Sequence, residues 1–209
     1  MKKNISFFIV LVLLNSLFIT GSYENLFAAE QTKQTPAQAA EYLKLRLDYS
    51  KTAEYNPYDS EVSEIRKECY KLMDAGKYKE AIEKAESGLK KDKYNIFLTI
   101  ALSAAYRKNQ DTENADRYRK LWVGLVSSIL TSGDGKSAGT AFKVISVDEE
   151  YAVLAVLDLI RTKQRLVNIE NSNYDVLQVK NEQTGKEFEL YFNVDIPFSW
   201  LLEKNKAKN

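Results

Sequence analysis

The chain has 209 residues, with 30 basic and 29 acidic side chains, one cysteine and no histidine. Even charge argues against a nucleic-acid or anionic-membrane partner, since either selects a basic excess. Without histidine, Ser-His-Asp and Cys-His catalysis and imidazole metal sites are excluded within one chain. The lone Cys69 allows no intramolecular disulfide.

Residues 1–29 read as an export signal: Lys2 and Lys3, an apolar run from Ile5 to Ile19 interrupted by Asn15 and Ser16, then a small-residue end at Ala28-Ala29. The run is shorter than the roughly 20 residues of a membrane-spanning helix. The expectation is cleavage near Ala28 and Ala29, a periplasmic or secreted chain, and no stable membrane span afterwards. Loss of Lys2, Lys3 and Glu24 with the leader brings the charge balance to zero. Oligomeric state is left open.

Thr35 reads as an N-cap, Pro36 as the first helical position and Gln38 as the returning member of a capping box, predicting a helix that ends near Ser50. Its apolar residues Tyr42, Leu43, Leu45, Leu47 and Tyr49 cover more than one stripe. Tyr55-Asn56-Pro57-Tyr58 predicts a turn. From there Val62, Ile65, Cys69 and Leu72 share one helical face. Gly76-Lys77 breaks that helix, and Tyr78, Ala81, Ile82, Ala85 and Leu89 mark the next. The pattern recurs with Ile96, Phe97, Ile100 and Ala104, and then with Ala115, Tyr118, Trp122, Leu125 and Ile129.

The stretch Gly76-Lys77-Tyr78-Lys79-Glu80-Ala81-Ile82, with Leu89, Asp92 and Asn95 behind it, resembles the tetratricopeptide repeat, and Ala81 to Ala115 spans its period of about 34 residues. Lys93 departs from the usual proline, Cys69 from a small residue, and Gln110 stands at a glycine position. The resemblance implies a concave groove lined by Ser63, Arg66, Tyr70 and Met73, then by Phe97, Ile100, Ala104 and Arg107. Two repeats are fewer than the roughly three that usually stand alone. The first helix and the C-terminal module are therefore expected to cover the open ends.

Ser132-Gly133-Asp134-Gly135-Lys136-Ser137 joins this helical part to a β-rich part. Ser146 with Glu149 reads as a second capping box and predicts a helix over 147–157, although Tyr151 to Leu157 also suits a buried strand. Arg165 to Glu170, turning at Asn171-Ser172-Asn173 into Tyr174 to Lys180, and Lys186 to Ile196 read as strands. In the last, Phe188, Leu190, Phe192 and Val194 alternate with polar residues. Pro197 should end it, with Trp200 and Leu201 folding back onto the sheet.

The expected fold class is α+β: tetratricopeptide-like helical hairpins over 35–130, a Gly-rich link over 131–139, a small module over 140–203 with an antiparallel sheet and one covering helix, and a basic tail over 204–209. Gly135-Lys136-Ser137 hints at a phosphate loop, but Leu130 stands where that motif needs glycine and a helix precedes it. Ser87-Gly88-Leu89-Lys90 places its serine at a helix end, whereas Ser-x-x-Lys chemistry needs it at a helix start. Asp148, Glu149 and Glu150 suit general acid–base work or hard cations, and equally the first turn of a helix, where the free amides favour acidic residues.

Leu45-Arg46-Leu47-Asp48-Tyr49-Ser50, Tyr55-Asn56-Pro57-Tyr58, Ser128 to Ser137, Ala141 to Ile145, Glu149-Glu150-Tyr151 and Leu190 to Pro197 together resemble domain of unknown function 4919, a family of mostly exported bacterial proteins. That resemblance spans nearly the whole mature chain and implies no reaction or catalytic residue.

Two functional expectations follow. The first is a non-enzymatic envelope module binding a protein or peptide in the groove, through Arg66, Tyr70, Met73, Phe97 and Arg107, without cofactor or resident metal. The alternative is a small carboxylate-dependent hydrolase or a Ca²⁺- or Mg²⁺-dependent binder at the junction, using Asp134, Lys136, Glu149, Glu150, Tyr151 and Asp195.

Overall fold

The computed structural model describes residues 35–206. The predicted export signal lies outside them.

Helix α1 (Pro36–Tyr49) starts with the expected capping box: the Gln38 amide donates to Thr35 Oγ1 at 3.3 Å, and Gln38 Oε1 accepts from the Thr35 amide at 2.9 Å. Two helical hairpins follow, α2 (Ser60–Asp74) with α3 (Tyr78–Leu89), and α4 (Ile96–Lys108) with α5 (Thr112–Leu130). Asp59, Asn95 and Asp111 cap α2, α4 and α5 by accepting backbone amides. Ala81 and Ala115, at equivalent places in the second helix of each hairpin, are fully buried. Gly76 ends α2 with φ of 72°, and Gln110 ends α4 in the same left-handed region at 63°. The equivalence with Gly76 is kept even where the side chain makes that conformation costly.

Most of α4 is buried. It packs against α3 and α5 on its flanks, and against α2 and a later helix, α6 (Val147–Val156). Val62, Ile65 and Cys69 of α2, Ala81, Ile82 and Ala85 of α3 and Leu98, Leu102 and Ala105 of α4 form one cluster. Helix α1 lies on α5, where Tyr42 covers Gly124; a Cβ at Gly124 would stand 2.2 Å from Tyr42 Cε2.

The link is held by backbone geometry. Amides of Asp134 and Gly135 both donate to the Thr140 carbonyl, at 3.0 and 2.8 Å. Gly135 adopts φ of 69° with its α-carbon against the Phe142 ring, and Gly133 lies so close to the Thr140 and Ala141 carbonyls that no side chain fits. The amides a phosphate loop would present are thus spent inside the turn.

The sheet has strand order β1-β4-β3-β2, with β1 (Phe142–Lys143), β2 (Leu159–Ile169), β3 (Ser172–Asn181) and β4 (Glu187–Asn193). The three long strands are antiparallel, as expected. Two-residue β1 pairs in parallel with β4, so the sheet is mixed rather than purely antiparallel. Strand β2 starts earlier than predicted. Its turn is Glu170-Asn171, both at positive φ (51° and 65°), the geometry of a two-residue type I′ hairpin, instead of Asn171-Ser172-Asn173.

Residues 147–156 are a helix, but the predicted capping box does not form: Ser146 makes no side-chain cap, and Glu149 is drawn away to other partners. After β4, Asp195 starts a final helix, α7 (Asp195–Lys206), so Pro197 sits in a helix's first turn rather than at a strand's end. Trp200 lies 5.9 Å from Tyr58, ring centre to ring centre.

One core crosses the join. Ile96 and Ile100 of α4, Trp122, Leu125 and Ile129 of α5, Val153, Leu154 and Val156 of α6, Leu177 and Val179 of β3, and Leu190 and Phe192 of β4 belong to the same buried cluster.

Candidate functional site

The three consecutive carboxylates at the start of α6 diverge, each to a different layer. Asp148 turns to the helical hairpins, accepting from Arg66 Nη1 of α2 and, at 3.1 Å, from Asn95 Nδ2. The same Asn95 amide reaches Asp92 Oδ2 at 3.0 Å. Burial first, then the charges of Asp148 and Glu149, push Asp92 up to about 6.

Glu149 turns to α1. Arg46 Nε donates to Oε1 at 2.7 Å and Nη2 to Oε2 at 2.5 Å, a two-point pair in which the guanidinium is fully buried and the carboxylate nearly so. Arg46 also donates to Ser128 Oγ of α5 (3.0 Å) and to the Lys143 carbonyl of β1 (2.9 Å), while Glu149 accepts the Ile145 amide at 2.7 Å. Tyr55 donates to the Ile145 carbonyl. One arginine therefore gathers α1, α5, β1 and α6. Beside it, Tyr49, Tyr55, Asp92 and Glu149 border a recess with room for about one water molecule.

Glu150 turns to the sheet. It is fully buried, neither of its oxygens receives an N–H or hydroxyl donor, and its carboxyl lies within hydrogen-bonding reach of Asp175 on β3. Burial, then the Asp175 charge, hold Glu150 protonated well above the ordinary carboxyl range. Asp175 is raised chiefly by burial and drawn back by Gln164, whose Nε2 donates to Oδ2 at 2.9 Å, and by Glu150 itself. The arrangement is a protonated carboxyl facing a carboxylate. Desolvation around its hydroxyl, then the Asp175 charge, push Tyr58 up to about 12.

Tyr151, half-buried, stacks under Arg161, whose guanidinium carbon is 5.4 Å from the ring centre. Asp134 and Lys136 form a self-contained exposed turn: the Lys136 amide donates to Asp134 Oδ1 at 3.0 Å, and the ammonium lies 3.3 Å from Oδ2. The Thr140 hydroxyl, then the Lys136 amide, pull Asp134 down to about 2. Asp195 accepts the Asn173 amide at 2.6 Å and the Asn193 side chain at 3.1 Å, tying α7 to the ends of β3 and β4. Of the six junction residues, only Glu149, Glu150 and Tyr151 sit together, and their side chains go to different partners. No three acidic or cysteine side chains among the described residues converge as a metal site.

The helical stripe is partly consumed as well. Arg66 is bound to Asp148 and lies 5.1 Å over the Phe97 ring, Phe97 packs on the shared core, and Ile100 is buried in it. Tyr70 Oη donates to the Phe97 carbonyl at 3.3 Å, which sets the two stripes side by side. Met73 is half-buried on the α2–α4 cluster, and exposed Arg107 reaches Asp116 at 3.2 Å. Cys69 is fully buried, with its thiol pushed up to about 11 by desolvation. Ser87 Oγ is spent on the Lys84 carbonyl at 2.7 Å.

A family model described as a domain of unknown function (DUF4919) matches residues 20–201. The chain belongs to this family. No curated protein and no solved structure matches it. Arg46 and Glu149, which hold this DUF4919 fold together, both lie within the matched span.

Sequence reading singled out Glu149 and Glu150 but missed Arg46, Asp92, Asn95, Gln164 and Asp175. A signal for Arg46 was present: Ala39, Tyr42, Arg46 and Tyr49 recur at helical spacing on one face, and an arginine in such a stripe demands a buried acid.

Proposed function

We propose that the protein is an exported, non-enzymatic module that binds a protein or peptide partner along its helical hairpins. The observation that carries this reading is the contact of Tyr70 Oη with the Phe97 carbonyl, which sets α2 at Tyr70 against the first turn of α4. Met73 and Ala104 are half-exposed and Arg107 exposed, beyond the end that Asp148 closes by holding Arg66. A strip of aromatic, thioether and guanidinium groups is the chemistry that takes up peptide side chains. Asp134, Glu149 and Asp195 at the junction support the same reading from the other side, because hydrogen bonds within the fold already engage them.

A photo-crosslinking residue in place of Met73 tests it. The expected result is a discrete cross-linked partner in the envelope, absent when the same residue replaces Glu83, an exposed position on α3. Equal products from both sites, or none from Met73, refute the strip. Mass analysis of the exported chain, with its N-terminus expected near Glu30, tests the location.

A further inference from the structure

Strand β2 is the outer edge of the sheet, eleven residues long, and no strand pairs with its far side among the described residues. Edges of this kind are templates for another extended segment. Which backbone groups face outward follows from the ladder. The Val194 amide donates to the Asn173 carbonyl at 3.0 Å, so the backbone of Asn173 points toward the β4 side. Its cross-strand partner on β2, Asn168, then has its N–H and C=O turned away from β3, and alternation gives the same outward direction to Leu166 and Gln164, opposite Asp175 and Leu177. The two-residue hairpin agrees, since its closing pair, Ile169 and Ser172, exchanges bonds inward.

The side chains choose the occupant. Past the bulge between Arg161 and Lys163, Lys163, Arg165, Val167 and Ile169 share the face away from α6, while Gln164 and Leu166 share the α6 face. No acidic residue lies between Leu159 and Ile169. Lys163 is exposed without a partner among the described residues, and Arg165 is held by Glu189 at 2.6 Å. Leu166 is 52% exposed, the most of any large apolar side chain described. Charge favours an acidic occupant over a second copy centred on Gln164, the middle of the strand, since that pairing sets Lys163 against Arg165 of the other copy and like charges directly opposite repel.

The geometry points to β2 as a docking edge for an extended, acidic partner segment that alternates carboxylate and apolar side chains. Its carboxylates lie opposite Lys163 and Arg165, its apolar residues opposite Leu166, and its backbone pairs with Gln164, Leu166 and Asn168. This surface is distinct from the helical strip.

The test uses a fluorescent eight-residue peptide of alternating Val and Glu, its Val/Lys counterpart, and fluorescence anisotropy with the purified protein. The Val/Glu peptide should bind at least tenfold more tightly than the Val/Lys peptide, and more weakly as salt rises. Leu166→Pro removes an outward N–H and leaves the β2–β3 ladder intact, so it should keep a near-parental melting curve and lose binding at least tenfold. Leu166→Ala separates side chain from backbone and should lose less. Lys163→Glu, at an exposed site that does not threaten folding, should reverse the peptide preference. Failure of the parent to bind the Val/Glu peptide, equal binding of both peptides, or unchanged binding by a folded Leu166→Pro overturns the proposal. Self-association of the parent that Leu166→Pro abolishes also overturns it, by assigning the edge to a second copy.

Discussion

Replacing Arg46 by methionine is the sharpest test of how this fold is held. The side chain keeps much of its aliphatic volume but loses both bonds to Glu149, the bond to Ser128 Oγ and the bond to the Lys143 carbonyl. Glu149 is left nearly buried with the Ile145 amide as its one remaining hydrogen-bond donor. Removing one partner of a buried ion pair costs about 3–5 kcal/mol, because the surviving charge stays uncompensated. At about 2–4 °C per kcal/mol for a chain of this size, the melting temperature should fall by roughly 10 °C. Urea unfolding should give the same loss at unchanged slope. The double change Arg46→Met, Glu149→Leu should recover part of it, since no buried charge remains and Ser128 still donates to Leu125. A single-variant loss below about 1 kcal/mol at unchanged slope would refute the pair as a structural centre. Its response to salt should also be small, because screening acts weakly on buried pairs.

Gly124→Ala drives a methyl into the Tyr42 ring and should cost about 1–3 kcal/mol by overpacking, with partial rescue by Tyr42→Ala in a denaturation cycle. Gln110→Gly relieves a left-handed backbone and should raise stability by roughly 1 kcal/mol, read as a higher urea midpoint; a lower midpoint would mean that the side chain itself contributes. Asp92 has a raised folded value of about 6, so it penalises the fold progressively as pH climbs from its ordinary 3.8 through 6. Asp92→Asn should therefore gain on the parent between pH 4 and pH 7, and a stability difference independent of pH would contradict this. Glu150→Gln keeps a donor toward Asp175 at every pH and should likewise gain on the parent as pH rises, whereas Glu150→Ala should lose at all pH values by leaving a cavity.

Helices α1 to α5 were legible in the sequence because their signals are local. Thr35-Pro36 with Gln38 fixes the start of α1, and the 34-residue recurrence from Ala81 to Ala115 fixes the hairpins. The hairpin turn of β2 and β3 was misplaced by one residue. Its left-handed positions fall on Glu170 and Asn171, whereas the polar run Asn171-Ser172-Asn173 draws the prediction onward. The capping box at Ser146 has the right pattern but a distant competitor: Glu149 finds Arg46, 103 positions earlier, and a charged two-point bond outweighs a local one to an amide. Asp175 was hidden because it reads as polar, although Asp175, Leu177 and Val179 share the inward face of β3. Only the register, together with Glu150 above it, shows why a carboxyl belongs there.

These contacts change what the Gly-rich link separates. It divides the sequence into a helical part and a β part, yet Trp122 and Leu125 before it share one buried cluster with Leu177 and Phe192 after it. Helix α6 is the reason. Its apolar residues lie in that cluster, and its first turn sends Asp148 to α2, Glu149 to α1 and Glu150 to β3. Three adjacent acids with three destinations fix a short helix in position and rotation at once, which one apolar face cannot do. The second hairpin is covered, α1 packing on α5 and α6 on α4 and α5. Those carboxylates that first suggested chemistry are the means by which two unlike halves become one fold, and the surfaces proposed for a partner, the strip at Met73 and the edge at Leu166, lie outside them.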